Sequence, residues 1–138
     1  MKTPITHVVA ALALSLSLTA AAADCMYPRA PASMPDGGTA TLDAMKAAKT
    51  DYDKYNSDMT VYLDCIRTEY ESSRPKIEDG MSEAKKKEVQ KQMEEDEKRY
   101  VTKNDAAVDE LHGIMDRFNE QIRSFNAKRK AAKEKSGG

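Results

Sequence analysis

Met45, Tyr52, Met59 and Ile66 stand seven residues apart, and Ala48, Tyr55 and Tyr62 fill the intermediate apolar positions. That spacing gathers seven side chains into one seam along a helix, and such a seam has to be covered by something. Thr41 is a good N-cap, and Asp43 suits the positive end of the helix dipole. Pro75 disfavours helical backbone at the residue before it, so the pattern predicts a first helix over residues 42–73.

A second helix is predicted over residues 82–129, capped by Ser82. Its first half is very polar, with only Val89, Met93, Tyr100 and Val101 as sizeable apolar residues. Glu83/Lys87, Glu94/Lys98 and Glu95/Arg99 fall four apart in the acid-first order, each pair worth a few tenths of a kcal/mol. In the second half Val108, Leu111, Met115, Phe118, Ile122 and Phe125 alternate by three and four, and Ala107 and Ile114 widen the stripe. Met93, Tyr100, Ala107 and Ile114 keep the seven-residue period through Asn104-Asp105. This argues for a continuous helix over a three-helix bundle broken near Asn104. Gly113 softens the helix by about 1 kcal/mol. Lys128, Arg129 and Lys130 suit a helix C-terminus, and residues 131–138 are expected as a flexible, solvated tail. The expected fold is all-α: an antiparallel hairpin over residues 42–130.

Residues 24–41 precede the hairpin. Cys25, Pro28, Pro31, Pro35 and the turn sequence Pro35-Asp36-Gly37-Gly38 give an extended, polyproline-like arm. Proline-rich arms can be ligands for aromatic grooves, but a structural strap is the better reading here. Before the arm, Val8 to Leu18 form an apolar run of eleven residues after Lys2. It is long enough for a signal-peptide core and too short to span a bilayer. Ala21-Ala22-Ala23 fits signal cleavage, so residues 1–23 are expected as a signal peptide cut after Ala23. A membrane anchor is the competing reading. The protein is expected to be exported, either periplasmic or secreted, with no stable membrane insertion after cleavage.

Export would place Cys25 and Cys65, the only two cysteines, in an oxidising compartment where an even pair bonds. Cys65 lies roughly 36 Å along the first helix, and the arm can span about 50 Å at polyproline rise. A Cys25–Cys65 bond within the chain is therefore feasible and would turn the arm into a strap, with Tyr27, Pro28 and Pro31 near the tyrosines of the first helix. A bond between two chains is the alternative.

Length suggests an interface. In an antiparallel hairpin connected through residues 73–80, the first helix runs out opposite about residue 112, which leaves Ile114 to Phe125 without cover, and the arm runs away from them. The stripe Val108, Leu111, Met115, Phe118, Ile122 and Phe125 is then expected as an interaction surface, its far end uncovered. It would meet a protein partner or a second copy through the C-terminal helix.

Catalytic patterns are missing. No G-x-S-x-G, P-loop or H-E-x-x-H sequence occurs, and His112 is the only histidine beyond the apolar leader. His112 reads as a surface residue flanking the stripe. The run Glu94-Glu95-Asp96-Glu97 has no apolar walls to raise a carboxylate pKa. The methionines fall on helix seams or are scattered, so neither metal nor cofactor is expected. Without the leader, 21 basic residues face 23 acidic ones, which favours neither nucleic acid nor an anionic surface.

The exported N-terminus, the Cys and Pro-rich arm, PDGGTATLDAM, the Tyr62-x-x-Cys65 helix and NDAAVDELHGIMDRFNEQIRSFNAK together resemble a group of small exported helical proteins of proteobacteria. The resemblance covers most of the chain after the leader and is weakest over Lys85–Arg99. It implies export, paired cysteines and a helical architecture, and brings no catalytic residues. The expected function is a non-enzymatic helical interaction protein of the cell envelope, with a periplasmic holdase-like chaperone as the alternative.

Overall fold

Thr41 Oγ1 accepts the amide of Ala44 at 3.2 Å, and from that cap helix α1 runs Leu42–Ser73. The fold is taken from a computed structural model of the protein, which describes residues 24–137. The expected signal peptide, residues 1–23, lies outside the described residues. Arg74 leaves α1 in extended backbone, as a residue before proline should. Helix α2 runs Glu83–Ser136, capped by Ser82, whose Oγ accepts the amide of Lys85 at 3.3 Å. The described residues are all helix, turn or coil, and the two helices pack against each other as a hairpin.

One boundary differs clearly from expectation. Helix α2 passes Asn104 and Gly113 unbroken and continues seven residues beyond 129. Ala131, Ala132, Lys133, Glu134 and Lys135 are helix formers, and no breaker intervenes before Gly137. The segment expected as a flexible tail is therefore helical to Ser136. The polar half of α2 also pairs its charges differently. Lys86 meets Glu83 at 2.9 Å, Lys91 meets Glu95 at 3.7 Å, and Arg99 meets Asp96. The expected Glu83/Lys87, Glu94/Lys98 and Glu95/Arg99 pairs do not form. On a solvated face alternative partners three or four residues away differ by only tenths of a kcal/mol.

The register holds the larger correction. Tyr52 stacks on Phe118 with ring centroids 5.0 Å apart, and Tyr70 stacks on Tyr100 at 4.7 Å. Both contacts obey one antiparallel register, which sets Leu42 level with Lys128 and Ser73 level with Glu97. Helix α1 therefore does not run out opposite residue 112. The residues of α2 that extend past α1 at the connection end are 83–96, roughly 21 Å of helix. The nine-residue connection, residues 74–82, is no tight turn; extended, it can climb up to about 30 Å alongside that segment.

The core sits where three pieces of chain meet. Tyr55, Met59, Tyr62 and Ile66 of α1 and Ala107 and Ile114 of α2 form a buried cluster. Cys25, Ala30 and Met34 of the arm pack against it, as do Tyr52, Leu63, Tyr100 and Leu111. Met59 and Ala107 are fully inaccessible to solvent.

Candidate functional site

The strap is fixed at its start by a disulfide between Cys25 and Cys65. One turn before Cys65 on α1, Tyr62 receives the ring of Tyr27 edge-on, with centroids 4.9 Å apart. The Tyr27 hydroxyl donates to Glu110 Oε2 at 2.7 Å, and the Tyr55 hydroxyl donates to Glu110 Oε1 at 3.1 Å. One carboxylate of α2 thus ties the arm and α1 together. Burial, then the bond to Glu110, pushes the Tyr55 phenol up to about 12. The same two causes raise Tyr27.

Farther along, the arm descends α2 toward its C-terminal end. The amide of Gly37 donates to the Gln121 side-chain oxygen at 2.8 Å. A Cβ on Gly37 would lie 1.9 Å from the Gln121 carbonyl oxygen and 2.9 Å from the Phe125 nitrogen. Only glycine lets the turn lie directly on the helix backbone. The next anchor is Lys128, whose Nζ donates to the carbonyls of Thr39 and Ala40 at 3.0 and 3.1 Å. Disulfide, tyrosine pair, glycine contact and lysine clamp succeed one another along the whole arm.

This placement changes the reading of the C-terminal stripe. Phe118 and Phe125 are buried, and Val108, Leu111, Met115 and Ile122 are half-buried. Phe118 is covered by Tyr52 of α1, and the Gly37 turn lies against the backbone at Phe125. The stripe is not left uncovered, because the register brings α1 alongside it and the arm runs toward it rather than away. The Cys25–Cys65 pair is where the spacing argument put it.

Exposed apolar groups gather elsewhere. An open cleft beside the disulfide is lined by Cys25, Met26, Tyr27, Val61, Tyr62 and Cys65, with Asp24, Arg29 and Asp58 at its rim. Met26 is 85% exposed, Val61 67% and Tyr27 45%. The arm and α1 build this patch jointly, so it exists only when the strap is seated. Reasoning from the sequence missed it because Met26 and Val61 lie far apart in the chain. The one available signal was Val61, a β-branched residue off the heptad seam.

Polar groups are less organised. His112 is exposed. A small pocket of about 90 Å³ near the Tyr70–Tyr100 stack is lined by Glu69, Asp96, Arg99 and Lys103. Among the described residues, no group of three or more histidine, cysteine, aspartate or glutamate side chains is placed to hold a metal ion. Among the same residues, no helix is long and apolar enough to cross a membrane. The chain matches no protein-family model, no curated protein and no solved structure.

Proposed function

We propose that the protein is an exported, non-enzymatic helical interaction protein of the cell envelope, and that its protein-binding surface is the cleft beside the disulfide. The observation that carries this reading is the patch of Met26, Tyr27 and Val61 around the Cys25–Cys65 bond. Single exposed apolar side chains are ordinary, but three lining one cleft resemble the apolar centre of a contact surface with a charged rim. Export rests on the apolar leader before residue 24 and on the disulfide, which persists in oxidising compartments. The partner expected is a protein presenting an apolar segment. The stripe on α2 contributes by holding the strap, and only through the strap to binding.

A photo-reactive residue at Val61, with a second at the equally apolar but distant Val101 as control, tests this in intact cells. The reading expects one dominant adduct from Val61 and none of that mass from Val101. Equal labelling from both positions, or no protein adduct from Val61, would sink it. An adduct of twice the chain's own mass would make the partner a second copy. Fractionation of the same cells reports whether the chain is exported.

A further inference from the structure

Helix α2 carries its charge unevenly. From Arg123 to Ser136 there are six cations, Arg123, Lys128, Arg129, Lys130, Lys133 and Lys135, against one carboxylate, Glu134. From residue 24 to 122 there are 15 cations against 22 carboxylates, so an acidic body of net charge −7 ends in a basic tip of net charge +5. The structure makes the tip a rigid projection. Lys128 is level with the first residue of α1, and every residue from Asn126 to Ser136 is exposed. Beyond Lys128, α2 stands clear of the body by roughly 12 Å. Arg129 lies over the Phe125 ring, 5.7 Å from its centroid. Among the described residues, none of Arg129, Lys130, Lys133 and Lys135 has a carboxylate within ion-pairing distance, as is also true of Lys87, Lys98 and Lys103 in the polar half of α2, but only at the tip do such cations outnumber the acids.

The helix dipole does not account for this. Its attraction for cations fades beyond the last turn, which covers Lys133 and Lys135 but not Arg123, Arg129 or Lys130. Phe125 is buried against the body, and beyond it the tip has no apolar residue larger than alanine, so the projecting part cannot insert into hydrocarbon or dock by hydrophobic contact. What it offers is a fixed column of positive charge.

We infer that the basic tip of α2 adsorbs electrostatically to an anionic, phosphate-bearing lipid surface and holds the body off that surface end-on. Charge complementarity selects the partner, and the acidic body is repelled by the surface that attracts the tip. The choice of lipid over nucleic acid rests on the exported reading, since envelope phosphate is carried by lipids. Level with Cys65, α2 is roughly 40 Å from Lys133, so an end-on tip holds the cleft beside the disulfide well clear of the surface.

The test uses the purified, disulfide-bonded protein sedimented with vesicles of equal parts phosphatidylcholine and phosphatidylglycerol. Each cation at such a surface multiplies the partition coefficient by about five. A K130Q/K133Q/K135Q variant, whose helix formers keep α2 intact by circular dichroism, should therefore bind about 100-fold more weakly. Raising the salt to about 1 M, where the Debye length is about 3 Å, should release the wild-type protein. Equal binding to pure phosphatidylcholine, an unchanged triple variant, or no sedimentation at low salt would each overturn the inference. Tighter binding to a duplex oligonucleotide than to the vesicles at matched phosphate would overturn it in favour of nucleic acid. Vesicle binding does not depend on the cell compartment, so its failure is distinct from a failure of export, which fractionation decides.

Discussion

At the strapped end of the hairpin Tyr55, Met59, Ala107 and Ile114 are almost inaccessible to solvent. At the connection end, from Glu83 to Tyr100, Val89 alone is buried. Helix α1 ends level with Glu97, so over most of the connection end α2 has only residues 74–82 to lie beside it, whereas at the strapped end both α1 and the arm cover it. A pair of helices buries one narrow seam, and a wider apolar stripe needs a third surface. At the strapped end Ala107 and Ile114 broaden the α2 stripe, and Cys25, Ala30 and Met34 of the arm cover it. At the connection end the stripe has thinned to Val89 and Met93, set among charges that water already satisfies.

The comparison can be broken most forcefully at the disulfide. Removing it by a C25A/C65A double substitution should cost about 4 kcal/mol, the chain-entropy value for a loop of this size. Denaturant melts would show it, and a loss below about 1 kcal/mol would mean the arm contributes little to the strapped end. A matched pair of truncations comes next. Met59→Ala should cost about 3 kcal/mol and Met93→Ala about 1 kcal/mol, since Met59 is fully buried and Met93 is not. Equal costs would mean that the two ends are packed alike. Gly37→Ala is smaller in atoms but lands on backbone, so about 2 kcal/mol is expected, together with loss of amide-exchange protection at Gly37. Protection retained at that amide would show that the strap tolerates the methyl group.

The smallest effect is on alkaline stability. Tyr55, held near 12, and Tyr27, also raised, keep their protons in the folded state after the unfolded phenols have ionised near 10. The folded protein then binds more protons than the unfolded one, so stability is fully present below about pH 10 and falls as pH rises toward 12. A Y27F/Y55F variant should show a shallower fall in melting temperature over that window. An identical fall in both proteins would place the lost stability outside the Glu110 cluster.

Much of this architecture is written in local signals. Thr41, Ser82 and Pro75 set three helix ends, because caps and proline act on the nearest backbone atoms. Arm length against helix rise allows the Cys25–Cys65 bond within one chain, and the structure makes it. The register does not follow, for a physical reason: a seven-residue apolar repeat keeps its pattern when one helix slides by seven along the other. The nine-residue connection, the stacking of Tyr52 on Phe118 and Tyr70 on Tyr100, and the bond from Tyr55 to Glu110 choose among those slides. An error in register then moved the expected interface onto residues that the chain itself covers. The cleft beside the disulfide was illegible for a related reason, since its residues come together only after the arm has turned back.

The order in which the chain becomes available gives the disulfide a second meaning. Tyr27 meets Glu110, Gly37 meets Gln121 and Thr39 meets Lys128 across sequence separations of 83, 84 and 89 residues. Contacts that distant are slow to find, because closing each loop costs chain entropy before any contact rewards it. Both cysteines, in contrast, precede Ile66, so their bond can close while most of α2 has yet to emerge. A chain cross-linked at that stage already holds its first forty-odd described residues as arm folded upon helix, and α2 arrives to a groove half made. The bond's contribution is then as much to the sequence of folding events as to the endpoint.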